Sequence, residues 1–121
     1  MTHYAGKSVK FAQKEAQLLR EFSLIYMQLC MDEPSLSTLV VGRVGLSQDK
    51  GIATIFFHSA LGEEDYLEKR KTLVLYKPSI RSALAKGIRG RYTPQLIFRY
   101  ERNYAKQKRL EELLDSVKER P

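Results

Sequence analysis

The chain has 121 residues, enough for one compact domain and too few for two. With 43% hydrophobic and 29% charged residues it can bury a real core, which excludes wholesale disorder. Twenty-one Lys and Arg against 14 Asp and Glu give +7, favouring an anionic partner: nucleic acid ahead of an acidic membrane surface.

The side-chain inventory narrows the chemistry further. The single cysteine, Cys30, excludes an internal disulfide framework and a multi-cysteine zinc site. Two distant histidines, His3 and His58, argue against a histidine metal site, so no metal and no cofactor are expected. The first ten residues lack the apolar core of a secretory signal, and no run approaches the length of a membrane span. A cytoplasmic protein without a membrane partner is expected.

In chain order, Ser8 to Met31 reads as a long amphipathic helix. Val9, Ala12, Ala16, Leu19, Phe22, Tyr26 and Leu29 recur at steps of three and four, and Ser8 stands where an N-cap belongs. The helix should end in the polar stretch before Pro34, and Cys30 reads as a small core or boundary hydrophobe. Leu39–Leu46 and Ile52–His58 are β-branched and alternating. On the first of them Val40, Val44 and Leu46 should share the inner face. Ser47 to Gly51 has hairpin-loop chemistry, making the pair antiparallel, and Gly42 or Gly45 would permit a bulge.

Gly62 to Ile88 is helical in period, with Leu73, Tyr76, Ile80, Leu84 and Ile88 apolar and acids in the opening turn that complement the helix dipole. Glu64 and Glu68, four apart, also have the spacing to share a magnesium ion, but carboxylates on one helix face are commonplace surface residues. Pro78 interrupts the pattern. It has no N–H for the carbonyl of Val74, and it disfavours helical dihedrals at Lys77. Two helices meeting at Tyr76-Lys77-Pro78 are therefore expected, with Pro78 in the first turn of the second. A third strand follows at Pro94–Glu101, then a last helix at Tyr104–Glu119. The order α-β-β-α-(kink)-α-β-α implies an α+β domain over residues 8–119 with a three-stranded sheet, preceded by a flexible N-terminus at residues 1–7.

The basic excess is concentrated. Lys77 to Arg109 holds ten basic residues against one acid, Glu101, and so carries +9, leaving −2 for the rest of the chain. On the helix after Pro78, Arg89 and Lys86 lie about 80° and 140° from Arg81, away from the apolar stripe. Cations on such a face neutralise phosphates, and arginine's planar fork suits phosphate oxygens. Tyr76, Tyr92 and Tyr104 border the region, either stacking on unpaired bases or closing the edge of the core. Gly87-Ile88-Arg89-Gly90 matches the G-x-x-G clamp of KH domains as a pattern. It falls after the helix pair rather than between its members, and reads instead as helix termination.

Ile80-Arg81-Ser82, Leu84, Lys86, Arg89 and Arg91, followed by Pro94-Gln95-Leu96-Ile97-Phe98, resemble the I-R-x-x-L and P-x-L-x-F signatures of the bacterial ribosome-binding factor A family. Val44 to Asp49 resembles that family's V-x-V-S-x-D turn, with Ala53 as the small residue after it. The resemblance spans roughly Phe11 to Val117. It implies a type II KH-like fold with helices packed on one face of the sheet. In that family a helix–kink–helix marked A-x-G replaces the clamp loop, and here Tyr76-Lys77-Pro78 takes that place.

The resemblance further implies a non-catalytic, monomeric RNA-binding factor with no catalytic residue. Its partners would be the small ribosomal subunit and its precursor 16S rRNA, and it would assist late maturation, including formation of the rRNA 5′ end, and growth in the cold. Arg81, Lys86, Arg89 and Arg91 are the implied rRNA contacts. Lys77, Arg99 and Arg102 join them on charge. A KH-like adaptor, a permanent ribosomal protein and an rRNA-processing nuclease are the competing readings, the last needing acid/base groups beside the basic face.

Overall fold

The computed structural model describes residues 9–88, 93–102 and 112–113. The elements run α1 (Val9–Asp32), a short 3-10 helix (Pro34–Thr38), β1 (Leu39–Leu46), β2 (Ile52–Ser59), α2 (Glu63–Leu75), α3 (Lys77–Gly87) and β3 (Gln95–Tyr100). The sheet order is β1-β2-β3, with β1 antiparallel to β2 and β2 parallel to β3. A parallel pair needs a long crossover, and α2 with α3 supply it. The expected N-cap at Ser8, the flexible segment 1–7 and nearly all of the last helix, Tyr104–Glu119, lie outside the described residues.

Alternation fixes the inner face of the sheet. Ala53, Ile55, Phe57 and Ser59 of β2 and Leu96 and Phe98 of β3 are buried, and all of these except Ser59 join residues of the helices in one apolar cluster. Phe57 sits at its centre, with ring centroids 5.6 Å from Phe98, 5.5 Å from Tyr26 and 6.1 Å from Phe22. Burying side chains of this size contributes about 1.5–3 kcal/mol each.

Three details depart from the sequence reading. On β1 the register shifts between Val41 and Arg43, so Gly42 forms a bulge. The extra residue reverses the phase: Leu39, Val44 and Leu46 point inward, whereas Val40 is exposed. On α1 the buried stripe is Phe11, Leu18, Phe22, Tyr26 and Leu29, while Val9, Ala12 and Ala16 are exposed. Glu15 occupies a position between Phe11 and Leu18 on that stripe, and its carboxylate accepts the Leu46 N–H at 2.8 Å, satisfying an edge group of β1. Finally, a short 3-10 helix that the sequence reading did not anticipate follows α1. Its Leu36 is fully buried, and Tyr26 donates its hydroxyl to the Leu36 carbonyl at 2.5 Å.

The turns explain the motif residues. Ser47 Oγ and the Gly51 N–H both donate to Asp49 Oδ1, which lowers the Asp49 pKa, and Ser47 Oγ also accepts the Ile52 N–H. Gly62 opens α2 at φ 98°, ψ 175°, a region almost reserved for glycine.

Just inside that helix, Asp65 ties three elements together. Its Oδ2 accepts from Thr38 Oγ1 at 2.7 Å and Ser59 Oγ at 2.6 Å, and its Oδ1 pairs with Lys69 Nζ at 2.8 Å. Lys69 Nζ also donates to Thr38 Oγ1 at 2.7 Å. These bonds, those from Lys69 and Ser59 foremost, hold the Asp65 pKa down from 3.8 to about 2. A depressed carboxylate stabilises the fold fully above its unfolded pKa, and the contribution fades as pH falls through the folded one. Asp65→Asn should therefore cost about 1–2 kcal/mol at neutral pH. In urea titrations the gap from wild type should shrink between pH 4 and pH 2. A gap independent of pH would mean that the charge on Asp65 is not what stabilises this corner.

Candidate nucleic-acid interface

The crossover breaks where the proline signal placed it, with one difference. α2 ends at Leu75 and Tyr76 is the joint, at φ −91° and ψ −2°, while Lys77 already belongs to α3. Pro78 sits in the first turn of α3, as expected. The Tyr76 N–H donates to the Leu73 carbonyl at 3.0 Å, and the Tyr76 carbonyl accepts the Ile80 N–H at 2.9 Å. The side chain fastens the joint. Tyr76 packs against the core and its hydroxyl donates to Glu33 Oε1 at 2.8 Å, a bond that raises the phenol pKa. Tyr76 is therefore a core-edge residue rather than a stacking platform. Tyr92 and Tyr104 lie outside the described residues.

Beyond the joint, Ile80, Leu84 and Ile88 are buried and turn the opposite side of α3 outward. Arg81 and Lys86 are exposed and Lys77 is half-buried. Lys77 Nζ lies 5.2 Å from the ring centroid of Phe98, in the middle of β3. Arg81 reaches the start of that strand, donating from Nε to the Pro94 carbonyl at 3.2 Å and from Nη2 to the Thr93 carbonyl at 2.9 Å. Arg99 and Arg102 stand at the far end of the strand, both exposed. Lys77, Arg81, Arg99 and Arg102 thus follow β3, the edge strand beside which the crossover returns. α3 ends at Gly87, against which Glu21 of α1 packs so closely that a Cβ there would collide with its carboxylate. Ile88 turns into extended backbone, consistent with termination rather than a phosphate clamp. Arg89 and Arg91 lie outside the described residues.

These cations are not equivalent. Arg102 forms a two-pronged pair with Glu63, at 3.0 Å for each nitrogen, and Glu63 raises its pKa. Arg81 holds the connection into β3 with its guanidinium. Sequence reading gave both the same role as Lys86; the structure gives each a structural bond as well. Glu101, the lone acid of the basic stretch, is taken by Arg43 at 2.6 Å. Arg43 also lies 3.7 Å from the centroid of the Phe56 ring.

Sequence reasoning missed Arg70. It lies on α2, outside the basic stretch, and the fold brings it to the far end of β3, beside Arg99 and Arg102. Glu64 and Glu68 are both exposed, and among the described residues no group of three or more His, Cys, Asp or Glu is placed to hold a metal ion. Nor, among those residues, is any helix long and apolar enough to cross a membrane.

Comparison with known proteins gives a consistent result. The family model described as "Ribosome-binding factor A" matches residues 11–114. A protein of that name from Fervidobacterium nodosum is 32% identical over 115 residues, covering 92% of this chain and 89% of its own. Another from Chromohalobacter salexigens is 30% identical over 114 residues, covering 92% and 86%. The crystal structure of ribosome-binding factor A from Thermus thermophilus superposes with a TM-score of 0.63 at 30% identity, over 74% of this chain and 92% of that one.

If Arg81 anchors the entry to β3, Arg81→Lys keeps the charge but loses the fork that spans two carbonyls. It should lower stability by about 1 kcal/mol, a fall of about 4 °C in melting temperature. An unchanged melting temperature would show that the guanidinium does not hold this connection.

Proposed function

The chain belongs to the ribosome-binding factor A family, and from that premise we propose that it is a non-catalytic assembly factor of the small ribosomal subunit, binding precursor 16S rRNA late in maturation. The fold of that family is KH-like, and the helix break at Tyr76 stands where a KH domain carries its clamp loop. Without such a loop, RNA is held by side chains. The observation that carries the reading is the line of cations along α3 and β3, with the apolar side of α3 packed inward.

In this reading Lys77, Lys86 and Arg99 meet phosphates directly. Arg81 and Arg102 add field while bracing the fold, and Arg89 and Arg91 extend the contact. The factor works as a monomer in the cytoplasm. It favours an immature rRNA conformation, including that around the unprocessed 5′ end, and leaves when the mature form no longer fits. Such exchange requires unequal affinity for the two forms, because equal binding shifts no population. Rearrangements of RNA slow in the cold, which is where a helper of this kind matters most.

Two measurements test this. Each phosphate neutralised contributes about 0.7–0.9 to the slope of log K against log salt. Lys77→Gln/Lys86→Gln should therefore flatten the slope for a 5′ precursor 16S fragment by about 1.5, with weaker binding at low salt. In sucrose gradients the protein should follow free and immature small subunits. An unchanged slope would remove α3 from the interface, and co-sedimentation with translating ribosomes would point to a permanent ribosomal protein.

A further inference from the structure

Between α1 and the edge strand β1 runs a groove of about 660 Å³, lined by Leu24, Met27, Cys30, Met31, Leu39 and Val40 among others. No described residue lining it is charged. Met27 is 66% exposed and Met31 75%, with Leu24 and Val40 also open to water. A contiguous apolar surface of this kind marks a place where something docks. Lacking a cation, it offers nothing to a phosphate and lies apart from the basic side at β3.

The chain itself carries a matching strip. Leu110, Leu114 and Val117 follow one another at steps of four and three, and Met31, Met27 and Leu24 do so in reverse. A helix laid antiparallel to α1 would set the two series side by side, Leu110 against Met31 and Val117 against Leu24. Leu113, on the same side of such a helix, is 59% exposed. Charge agrees with that direction. Lys106, Lys108 and Arg109 precede Leu110, whereas α1 ends in Asp32 with no basic residue in its last turn. Cations are favoured at a helix C-terminus, and the antiparallel arrangement brings them there.

The fold puts the strip within reach. Glu101 donates its N–H to the Phe57 carbonyl at 2.8 Å, and Phe57 pairs with Tyr100 on one side and Val41 on the other. The chain thus leaves β3 level with Val41, which lines the groove, and two strand spacings from it, about 10 Å. The eight residues from Asn103 to Leu110 can cover about 12 Å as helix and about 26 Å when extended.

We infer that residues 110–117 dock in this groove as a helix antiparallel to α1, so that the segment following β3 is the occupant. A second copy carries the same residues, but a tethered segment is present at an effective concentration on the order of millimolar. Such docking is independent of RNA binding.

Ser37 lines the groove and is exposed, so a nitroxide on Ser37→Cys, in a Cys30→Ser background, reports on whatever enters. In the isotope-labelled full chain, the NMR amide signals of residues 110–117 should be broadened equally at low and high protein concentration. Met27→Glu, at an exposed position, and Leu114→Glu should each abolish that broadening while the β-strand amide shifts stay in place. No broadening at residues 110–117, or broadening that survives both variants, overturns the docking. Broadening seen only when the nitroxide is carried by a second, unlabelled copy also overturns it, and assigns the groove to a dimer.

Discussion

Tyr76 is the residue on which the basic surface depends. Its backbone closes α2 and opens α3, its ring joins the edge of the core, and its hydroxyl is held by Glu33 just beyond the end of α1. Pro78 removes an N–H that would otherwise bond back into α2, so a continuous rod through this point would leave the Val74 carbonyl without its partner. The crossover between two parallel strands must lie over the sheet for its full length. A break lets α2 contribute Tyr66 and Leu73 to the core while α3 contributes Ile80 and Leu84. The direction of that apolar side decides where Lys77, Arg81 and Lys86 point.

Much of this was legible in the sequence because local chemistry and tertiary demand agree. The proline, the hairpin residues Ser47 and Asp49, and the alternation of β2 and β3 each point to what is found. Disagreement arises where one residue changes the phase of many. A single bulge at Gly42 sends Val40 outward, and Glu15 interrupts the apolar spacing of α1 while still facing the sheet. A periodicity count penalises both, since it has no knowledge of the edge N–H that Glu15 satisfies. The candidate site was legible as charge but not as commitment. Nothing in the spacing of Arg81 or Arg102 reveals that one braces two carbonyls and the other pairs with an acid 39 residues away. Arg70 was out of reach for the same reason: the parallel pairing of β2 and β3, not sequence proximity, sets α2 beside the end of β3.

The electrostatics divide between holding the protein together and reaching outward. Asp65, Glu63 and Glu101 each satisfy a basic partner within the domain. Lys86, Arg70 and Arg99 are exposed, and Glu63 and Glu101, the acids near Arg70 and Arg99, are already paired. In the proposed function this surface meets a polyanion, and salt should then weaken the attraction.

The most direct test places a photo-reactive cross-linker on the side of α3 that carries the cations, at Ser82, and a second on α1 at Met27, which is also exposed. Each full-length protein is bound to immature small subunits and irradiated. Cross-links to rRNA from position 82 and none from position 27 are the outcome expected if the break at Tyr76 aims α3 at RNA. Cross-links from position 27 alone, or from neither position in a protein that still binds, would contradict it.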